Sequence, residues 1–307
     1  METIRDMRIR LKSITSTKQI TESMRLISTS KVQKNKNRME ANRPYYEQAV
    51  KIIDGIANDP QFRFMKHPYI VGNKNVWTNK ADNDDKTDKS LIILITGDRG
   101  LCGSYNVNAE KEAYALMKKL GDSQIITIGA KGRDYFRRRQ KTVLQSFKGM
   151  SENPFFKDAQ SIGTTAIKMY DETEVNQVYL VYTEYHSMLS QTPKSIRLLP
   201  LDKLYKTAKN GEIIESEAGV MSYDSEKEKF LKNAVSAYIF SVIYGSMLES
   251  SVCEQCARIT GMDSAVKNSD KIIDTLTLQY NQMRQSLITQ EIAEIVGGAN
   301  TFGEKKN

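Results

Sequence analysis

The sequence predicts an α/β protein with two parts: a long antiparallel coiled coil formed by the N- and C-terminal helices, and a central Rossmann-like α/β domain. All six prolines lie between residues 44 and 200, so both ends of the chain lack the residue that most disrupts helices. Both ends also have apolar residues at helical spacing, whereas the middle alternates short apolar runs with helical stretches. Such an alternation is typical of βαβ units.

The N-terminal segment contains a narrow apolar stripe. Its members follow helical steps over seven turns: Ile4, Met7, Leu11, Ile14, Ile20, Met24 and Ile27. A stripe of this width predicts a helix that buries one face against a partner. The segment is also basic, because residues 1–43 contain eleven Lys or Arg against four acidic residues.

The C-terminal segment has the clearer pattern. Alternating steps of three and four residues, the spacing of a coiled-coil seam, join Ile259, Met262, Val266, Ser269, Ile273, Leu276, Tyr280, Met283 and Leu287. The same register extends backward to Leu231. We expect a helix from near Asp224 to Val296, on the order of 100 Å long, with Gly297 and Gly298 as its terminators. The two terminal helices can bury their stripes against each other as an antiparallel pair.

The middle of the chain predicts a small α/β domain. Strands are expected at 90–97, 124–130, 177–187 and 195–201, and helices at 106–120, 131–140 and 155–172. A charged loop is expected at 80–90 and a polar stretch at 202–223. The predicted division is therefore a discontinuous coiled-coil shaft, residues 1–58 and 224–307, and a central α/β domain, residues 59–223.

Composition excludes several classes of protein. The apolar runs, such as Leu91 to Ile95, are far shorter than the roughly eighteen residues that a membrane span needs. Arg and Lys interrupt the first twenty residues, which predicts that no secretory signal is present and that the chain is cytoplasmic. Three cysteines are too few for a disulfide scaffold and indicate a reducing compartment. The formal net charge of +8 selects an acidic partner without identifying it.

The segment GDRGLCGS, residues 97–104, lies between a predicted strand and a predicted helix, where a phosphate-binding loop would be found. It lacks the Lys-Ser/Thr ending of nucleotidase loops, and its glycines do not have the dinucleotide-binding spacing. We therefore favour a tight structural turn over a nucleotide site.

The cysteines and histidines are the other candidates for a chemical site. Cys253 and Cys256 form a CxxC that could be a redox pair or half of a zinc site. It lies inside a predicted helix without a second CxxC, so buried thiols are favoured. His67 and His186, in unrelated segments, offer no catalytic arrangement. We predict neither catalytic residues nor a metal or cofactor site.

Three segments carry a family resemblance. They are IRDMRIRLKSITSTKQITESMRLISTSKVQ at 4–33, LITGDRGLCGSYN at 94–106, and CEQCARITGMDSAVKNSDKIIDTLTLQYNQMRQSLITQEIAEIVGGA at 253–299. In this order they resemble the gamma subunit of bacterial F-type ATP synthases over nearly the whole chain.

The resemblance implies a non-catalytic subunit of the central stalk. Its coiled coil would stand inside a ring of three alpha and three beta subunits, with the α/β domain near the epsilon subunit and the membrane c-ring. Ion flow would turn the ring and this shaft, and the shaft would drive ATP synthesis or hydrolysis on beta and regulate ATPase activity and ion flow. The chain would be peripheral to the cytoplasmic side of the cell membrane.

The resemblance also implies which residues contact the catalytic subunits. The matching positions are Met24, Arg258, Arg284, Gln285, Thr289 and Glu291. Near Met24 the sequence departs from the usual family pattern, because Glu22 replaces a common Lys and Arg25 a common Glu. The placement of charge on this part of the shaft is thereby altered.

Two functions from other classes compete with this interpretation. A basic coiled-coil protein could bind nucleic acid through residues 1–43, which predicts strongly salt-sensitive binding. An enzyme could use GDRGLCGS as a phosphate site, which predicts nucleotide binding by the chain alone.

Overall fold

The computed structural model describes residues 3–58, 67–72, 89–201 and 227–303. It divides the chain into two compact units, one of Met1–Ser28 with Ile259–Asn307 and one of Thr29–Arg258. A long helix at each end of the chain contributes to both units. Residues 80–88 of the predicted charged loop lie outside the described residues, and so does the whole predicted polar stretch at 202–223.

The described elements confirm the predicted fold class. The helices are α1 (Ile4–Asn58), α2 (Pro68–Val71), α3 (Tyr105–Leu120), α4 (Ala130–Arg138), α5 (Phe156–Asp171) and α6 (Lys227–Gly303). The strands are β1 (Ser90–Ile95), β2 (Ser123–Ile128), β3 (Val143–Phe147), β4 (Gln177–Tyr185) and β5 (Gln191–Leu199). The domain boundaries at 58/59 and 223/224 stay predictions.

The ends of the two long helices follow different rules. At the start of α1 the Thr3 hydroxyl accepts from the Asp6 amide at 3.2 Å, and the Asp6 carboxylate accepts from the Thr3 amide at 3.2 Å, which forms a capping box. At the other end of the chain, the prediction that Gly297 and Gly298 end the helix is wrong, because α6 continues to Gly303. A glycine inside a helix costs only about 1 kcal/mol, too little to stop a helix by itself.

The unit of Met1–Ser28 with Ile259–Asn307, called the coil unit below, contains an antiparallel helix pair. The Lys18 ammonium lies 2.6 Å from the Asp270 carboxylate, and Arg25 lies close enough to Asp263 to lower the pKa of that carboxyl, after the larger effect of Lys267. A higher number on α1 thus faces a lower number on α6, as an antiparallel pair requires. Every predicted seam position of α6 from Ile259 to Met283 is buried or half-buried, so this part of the register is confirmed.

The N-terminal stripe was predicted correctly only in its first half. Ile4, Met7, Leu11 and Ile14 are buried or half-buried, and the same line then continues through Lys18, Thr21, Arg25 and Ser28. Ile20, Met24 and Ile27 are instead exposed by 58%, 40% and 57%. The six-residue step from Ile14 to Ile20 leaves the seam, because a seam repeats every three to four residues.

The second unit, Thr29–Arg258, is called the sheet unit below and contains a five-stranded sheet of order β3-β2-β1-β4-β5. The first four strands are parallel and β5 pairs with β4 in the antiparallel sense. All six residues of β1 are buried, as is typical of a central parallel strand. The strand β3 is not among the predicted strands, because its residues VLQSF are half-buried or exposed at the sheet edge and show no apolar alternation.

The alternation of side chains along each strand divides the core between the two faces of the sheet. One face packs Ile92, Leu94 and Ile125 against residues of α3 and α4. The other face packs Leu91 and Ile93 against α5, the first half of α6 and the end of α1. The first half of α6 is therefore buried on the sheet side as well as along the predicted seam.

Glu110 on α3 gives the sheet unit a pH dependence. Burial raises its pKa to about 7, although Arg138, Arg139 and Lys131 oppose the shift. A carboxyl with a raised pKa is ionised more easily in the unfolded chain, so native stability decreases as the pH rises from about 4.5 to about 7. Urea unfolding should show Glu110→Gln more stable than the parent at pH 8 and equal to it at pH 4. Equal stabilities at both pH values would contradict the expectation.

Candidate functional site

The coil unit has two exposed apolar surfaces. The first is a line on α1 made by Ile9, Ile20, Met24 and Ile27, all exposed by 40% or more. These residues share one helix face, because the eleven residues from Ile9 to Ile20 make about three full turns and Met24 and Ile27 follow at steps of four and three. The seam with α6 uses other positions of α1, so this line faces away from it. Exposed apolar residues aligned over about 27 Å are typical of a contact surface.

The second surface is the end of α6. In the antiparallel register, Ile4 at the start of α1 lies near Arg284, so α6 beyond that point has passed the described start of its partner helix. Between residues 285 and 297 the large apolar residues are all exposed: Leu287, Ile288, Ile292, Ile295 and Val296. Leu287 therefore departs from the predicted seam, which ends at Met283 for lack of α1 residues to pack against.

The site residues implied by the family resemblance fall into three places. Arg284, Gln285, Thr289 and Glu291 are all exposed and lie within two turns of α6. Within them, the Thr289 hydroxyl donates to the Gln285 carbonyl at 2.9 Å. Met24 is exposed on α1 but lies near position 264 of α6, about 30 Å along the helix from Arg284. Arg258 belongs to the other unit.

Arg258 is engaged inside its own unit. Its guanidinium lies 2.6 Å from the carboxylate of Glu254, one helical turn earlier, and donates to the carbonyl of Gly100 at 3.3 Å. The Glu254 side chain is completely buried. Burial raises the pKa of Glu254, and the charge and hydrogen bond of Arg258 oppose that rise. A stator contact of Arg258 stays a prediction.

The segment GDRGLCGS forms the turn between β1 and α3 and is held by side chains. The amide of Gly97 donates to Asn106 at 2.8 Å, and the amide of Asp98 donates to the Ser151 hydroxyl at 3.1 Å. A Cβ on Gly97 would lie only 2.8 Å from the carboxyl carbon of Glu254. A phosphate would need those amides as donors, and a buried carboxyl would repel it. The contacts favour the predicted structural turn.

The thiols are buried, as the sequence predicts. Cys253 donates to the Thr183 carbonyl at 3.6 Å, and burial raises the pKa of Cys253 well above its ordinary value. Burial likewise raises the pKa of Cys256 and of Cys102. Thiols of this kind stay protonated and are poor nucleophiles and ligands. Among the described residues, no group of three His, Cys, Asp or Glu could hold a metal ion.

The two histidines have local structural contacts. His67 precedes α2 and its Nδ1 accepts from the amide of Tyr69 at 3.2 Å, which caps this short helix. His186 follows β4, where its Nε2 lies 2.8 Å from the Thr192 hydroxyl of β5. Within residues 3–58, 67–72, 89–201 and 227–303, no helix is long and apolar enough to cross a membrane.

Two solved structures share the fold along nearly the whole chain. One is a chain from the cryo-EM structure of the OSCP/F1/c-ring part of the Euglena gracilis mitochondrial ATP synthase, with a TM-score of 0.64 at 18% identity, covering 99% of this chain and 96% of that one. Another is a chain from the rotor of the same enzyme, with a TM-score of 0.62 at 17% identity, covering 93% and 98%.

The amino-acid sequence is also similar to those of known proteins. The family model described as ATP synthase matches residues 3–302. The ATP synthase gamma chain of Alkaliphilus metalliredigens is 39% identical, covering 97% of this chain and 98% of the relative. The sodium-ion-specific ATP synthase gamma chain of Acetobacterium woodii is 35% identical, covering 98% and 99%. With relatives of this identity over essentially their full length, the chain belongs to the ATP synthase gamma chain family.

Proposed function

We propose that the chain is the central-stalk rotor subunit of an F-type ATP synthase. It couples ion flow through the membrane c-ring to ATP synthesis or hydrolysis on the beta subunits by rotating inside the hexamer of three alpha and three beta subunits. It makes no bond in ATP itself. The observation that carries the proposal is a long antiparallel coil with a buried seam and exposed apolar faces, in a chain related to gamma chains over nearly its full length.

The two kinds of coil surface serve different purposes. The seam between α1 and α6 buries Met7, Met262 and Leu276, which joins the helices into one shaft. The outer apolar line on α1 and the end of α6 are left to contact surrounding subunits. Apolar contacts have no fixed direction, so they can be exchanged for similar contacts as the shaft turns.

The polar residues near the end of α6 add contacts that depend on the rotational angle of the shaft inside the hexamer. Arg284, Gln285, Thr289 and Glu291 project donors and acceptors beside exposed Leu287 and Ile292. A net hydrogen bond contributes about 1 kcal/mol, which permits it to break at each step. We propose that these four residues and Met24 contact the alpha and beta subunits, and through these contacts the chain also regulates ATPase activity and ion flow.

The other partners follow from the same proposal. The sheet unit contacts the epsilon subunit and the c-ring, and the chain is peripheral to the cell membrane, on its cytoplasmic side, through the complex. Of the described chain, no helix could cross the membrane.

Reconstitution tests the function. The chain, tagged, is combined with alpha, beta and epsilon subunits from the same cells, and the product is tested for subunit composition, ATPase activity and rotation of a probe on the sheet unit. A rotating alpha-beta-gamma-epsilon complex is the expected result. Salt-sensitive binding to DNA or RNA, with no assembly in the presence of all the other subunits, would replace the proposal with the nucleic-acid alternative.

The end of α6 has its own test. The double variant Arg284→Ala, Glu291→Ala should assemble with unchanged thermal stability, because both side chains are exposed, yet lose coupling. We expect ATP-driven ion pumping per ATP hydrolysed to fall several-fold, since about two net hydrogen bonds of about 1 kcal/mol each are removed from the stepping contacts.

The control for this variant is Lys168→Ala on α5, which removes an exposed i,i+4 partner of Glu172 in the sheet unit. It should leave both the stability and the coupling ratio unchanged. A normal coupling ratio in the Arg284, Glu291 variant would rule out these residues as stator contacts.

A further inference from the structure

The loop after β3 touches both long helices and the sheet. This loop, residues 151–155, is named the clamp loop here. It begins four residues after the end of the edge strand β3, ends at the start of α5, and contains Ser151, Glu152, Asn153, Pro154 and Phe155. All its contacts described below lie within the unit Thr29–Arg258.

Side chains of α1 bind the clamp loop over two helical turns. The Lys31 ammonium donates to the Glu152 carboxylate at 2.6 Å, and the Asn35 amide donates to the Glu152 carbonyl at 3.3 Å. One turn further, the Arg38 guanidinium donates to the Asn153 side chain at 2.6 Å and also to the Pro154 carbonyl. Three consecutive inward positions of α1 are therefore anchored to the same loop.

Side chains of α6 bind the same loop and the same residues of α1. The Ser251 hydroxyl accepts from the Asn35 amide at 2.8 Å and donates to the Glu152 carbonyl at 3.3 Å. The Tyr244 hydroxyl accepts from Arg38 at 3.3 Å. Both Asn35 and Ser251 are almost completely buried, so water does not compete for these hydrogen bonds.

The sheet is joined to the clamp loop through Asp98. Its carboxylate accepts from the Ser151 hydroxyl at 2.9 Å and from the amide of Gly149 at 2.9 Å. The other carboxylate oxygen accepts from the amide of Ala130 at the start of α4, at 3.0 Å. Asp98 follows β1, the central strand, so the sheet centre, α4 and the clamp loop share one carboxylate.

Charge holds Glu152 in place. Burial by itself would raise its pKa, but the hydrogen bond and charge of Lys31, with the charges of Arg99 and Arg258, lower it. Arg99 lies 3.4 Å from the carboxylate oxygen that Lys31 does not bind. Glu152 thus stays ionised at neutral pH and links α1 to the turn between β1 and α3.

We propose that Glu152, Asn35 and Arg38 are positioning residues that lock the sheet to the parts of α1 and α6 in its own unit, so that the sheet cannot twist about these two helices when torque is applied. The inference rests on the rotor function proposed above. Apolar packing between α6 and the sheet resists separation, but it resists sliding less well because it is not directional. Hydrogen bonds have preferred angles, and the clamp loop supplies them at one point to all three elements.

Torsional stiffness in the assembled complex tests the proposal. The alpha-beta hexamer is fixed to a surface, a probe is attached to the sheet unit, and rotation is stopped by an inhibitor. The angular fluctuations of the stopped probe then report stiffness. For the double variant Asn35→Ala, Arg38→Ala we expect stiffness roughly halved, because most of the directional contacts between α1 and the clamp loop are lost. Glu152→Gln should give a smaller decrease.

The matched control is Arg43→Ala, which removes an ion pair with Glu47 inside the same helix, at 2.8 Å, with no contact to the clamp loop. Unchanged stiffness in the Asn35, Arg38 variant, or an equal decrease in the control, would overturn the proposal. If the double variant does not assemble, Glu152→Gln provides the test, and wild-type stiffness in it would also overturn the proposal. Failure of the parent chain to rotate would instead count against the rotor function.

Discussion

Replacing Arg258 by alanine is expected to destabilise the chain by about 3–5 kcal/mol, because it leaves the buried carboxylate of Glu254 without its partner. The loss should depend on pH. Without Arg258 the pKa of Glu254 rises further. The carboxyl is then neutral in both folded and unfolded chains at low pH, whereas at higher pH the unfolded chain ionises it freely and the folded chain must keep it protonated. The deficit relative to the parent should therefore be small below about pH 4.5 and grow as the pH increases.

Urea unfolding of the full chain between pH 4 and 8 measures the difference in the free energy of unfolding between Arg258→Ala and the parent. Lys267→Ala is the matched control, since Lys267 and Asp263 form another i,i+4 pair on α6, at 2.8 Å but in solvent; it should change stability little. The double variant Glu254→Leu, Arg258→Met should recover most of the stability, because a buried ion pair can be replaced by apolar residues of similar size. A pH-independent deficit for Arg258→Ala would contradict the role of Glu254.

Replacing Leu276 by aspartate should open the coil. Leu276 is 5% exposed at the centre of the α1–α6 seam. The change removes an apolar side chain at about 2–5 kcal/mol and adds the cost of burying a charge. We expect loss of helical signal from the coil at lower temperature, and failure of the reconstituted complex to couple ATP hydrolysis to ion pumping.

Leu278→Asp serves as the control for the fold, because Leu278 lies two residues away and is 61% exposed. It should leave the melting temperature of the full chain almost unchanged. A Leu276→Asp chain that melts like the parent, or that supports normal coupled ATP synthesis, would show that the seam does not hold the shaft together.

The sequence pattern predicted well the elements whose burial produces a regular run or spacing of apolar residues. The seam of α6 from Ile259 to Met283 packs mainly against α1, so the three-four spacing reports it directly. The central strand β1 was equally clear, since both its faces are covered and its residues SLIILI are nearly all apolar. The edge strand β3 was missed because an edge with half-exposed residues needs no apolar alternation.

The polar contacts could not be predicted in this way. Asn35 and Ser251 stand at buried helix positions that look like interruptions of a pattern, and only their mutual distance of 2.8 Å shows that they satisfy each other. Glu254 and Arg258 have ordinary i,i+4 spacing on a helix, which is usually a solvent-exposed pair. Their burial depends on the turn at Gly97, more than 150 positions away in sequence.

The fold class, the antiparallel coil and the family could be predicted from the amino-acid sequence, because helical periodicity, strand composition and long motifs are local properties of the chain. Three features are seen only in the folded chain: which face of α1 is exposed beyond Ile14, the continuation of α6 past Gly297, and the contacts of the clamp loop with both helices and the sheet. These features depend on burial and on hydrogen bonds between residues distant in sequence, and those arise only when the chain is folded.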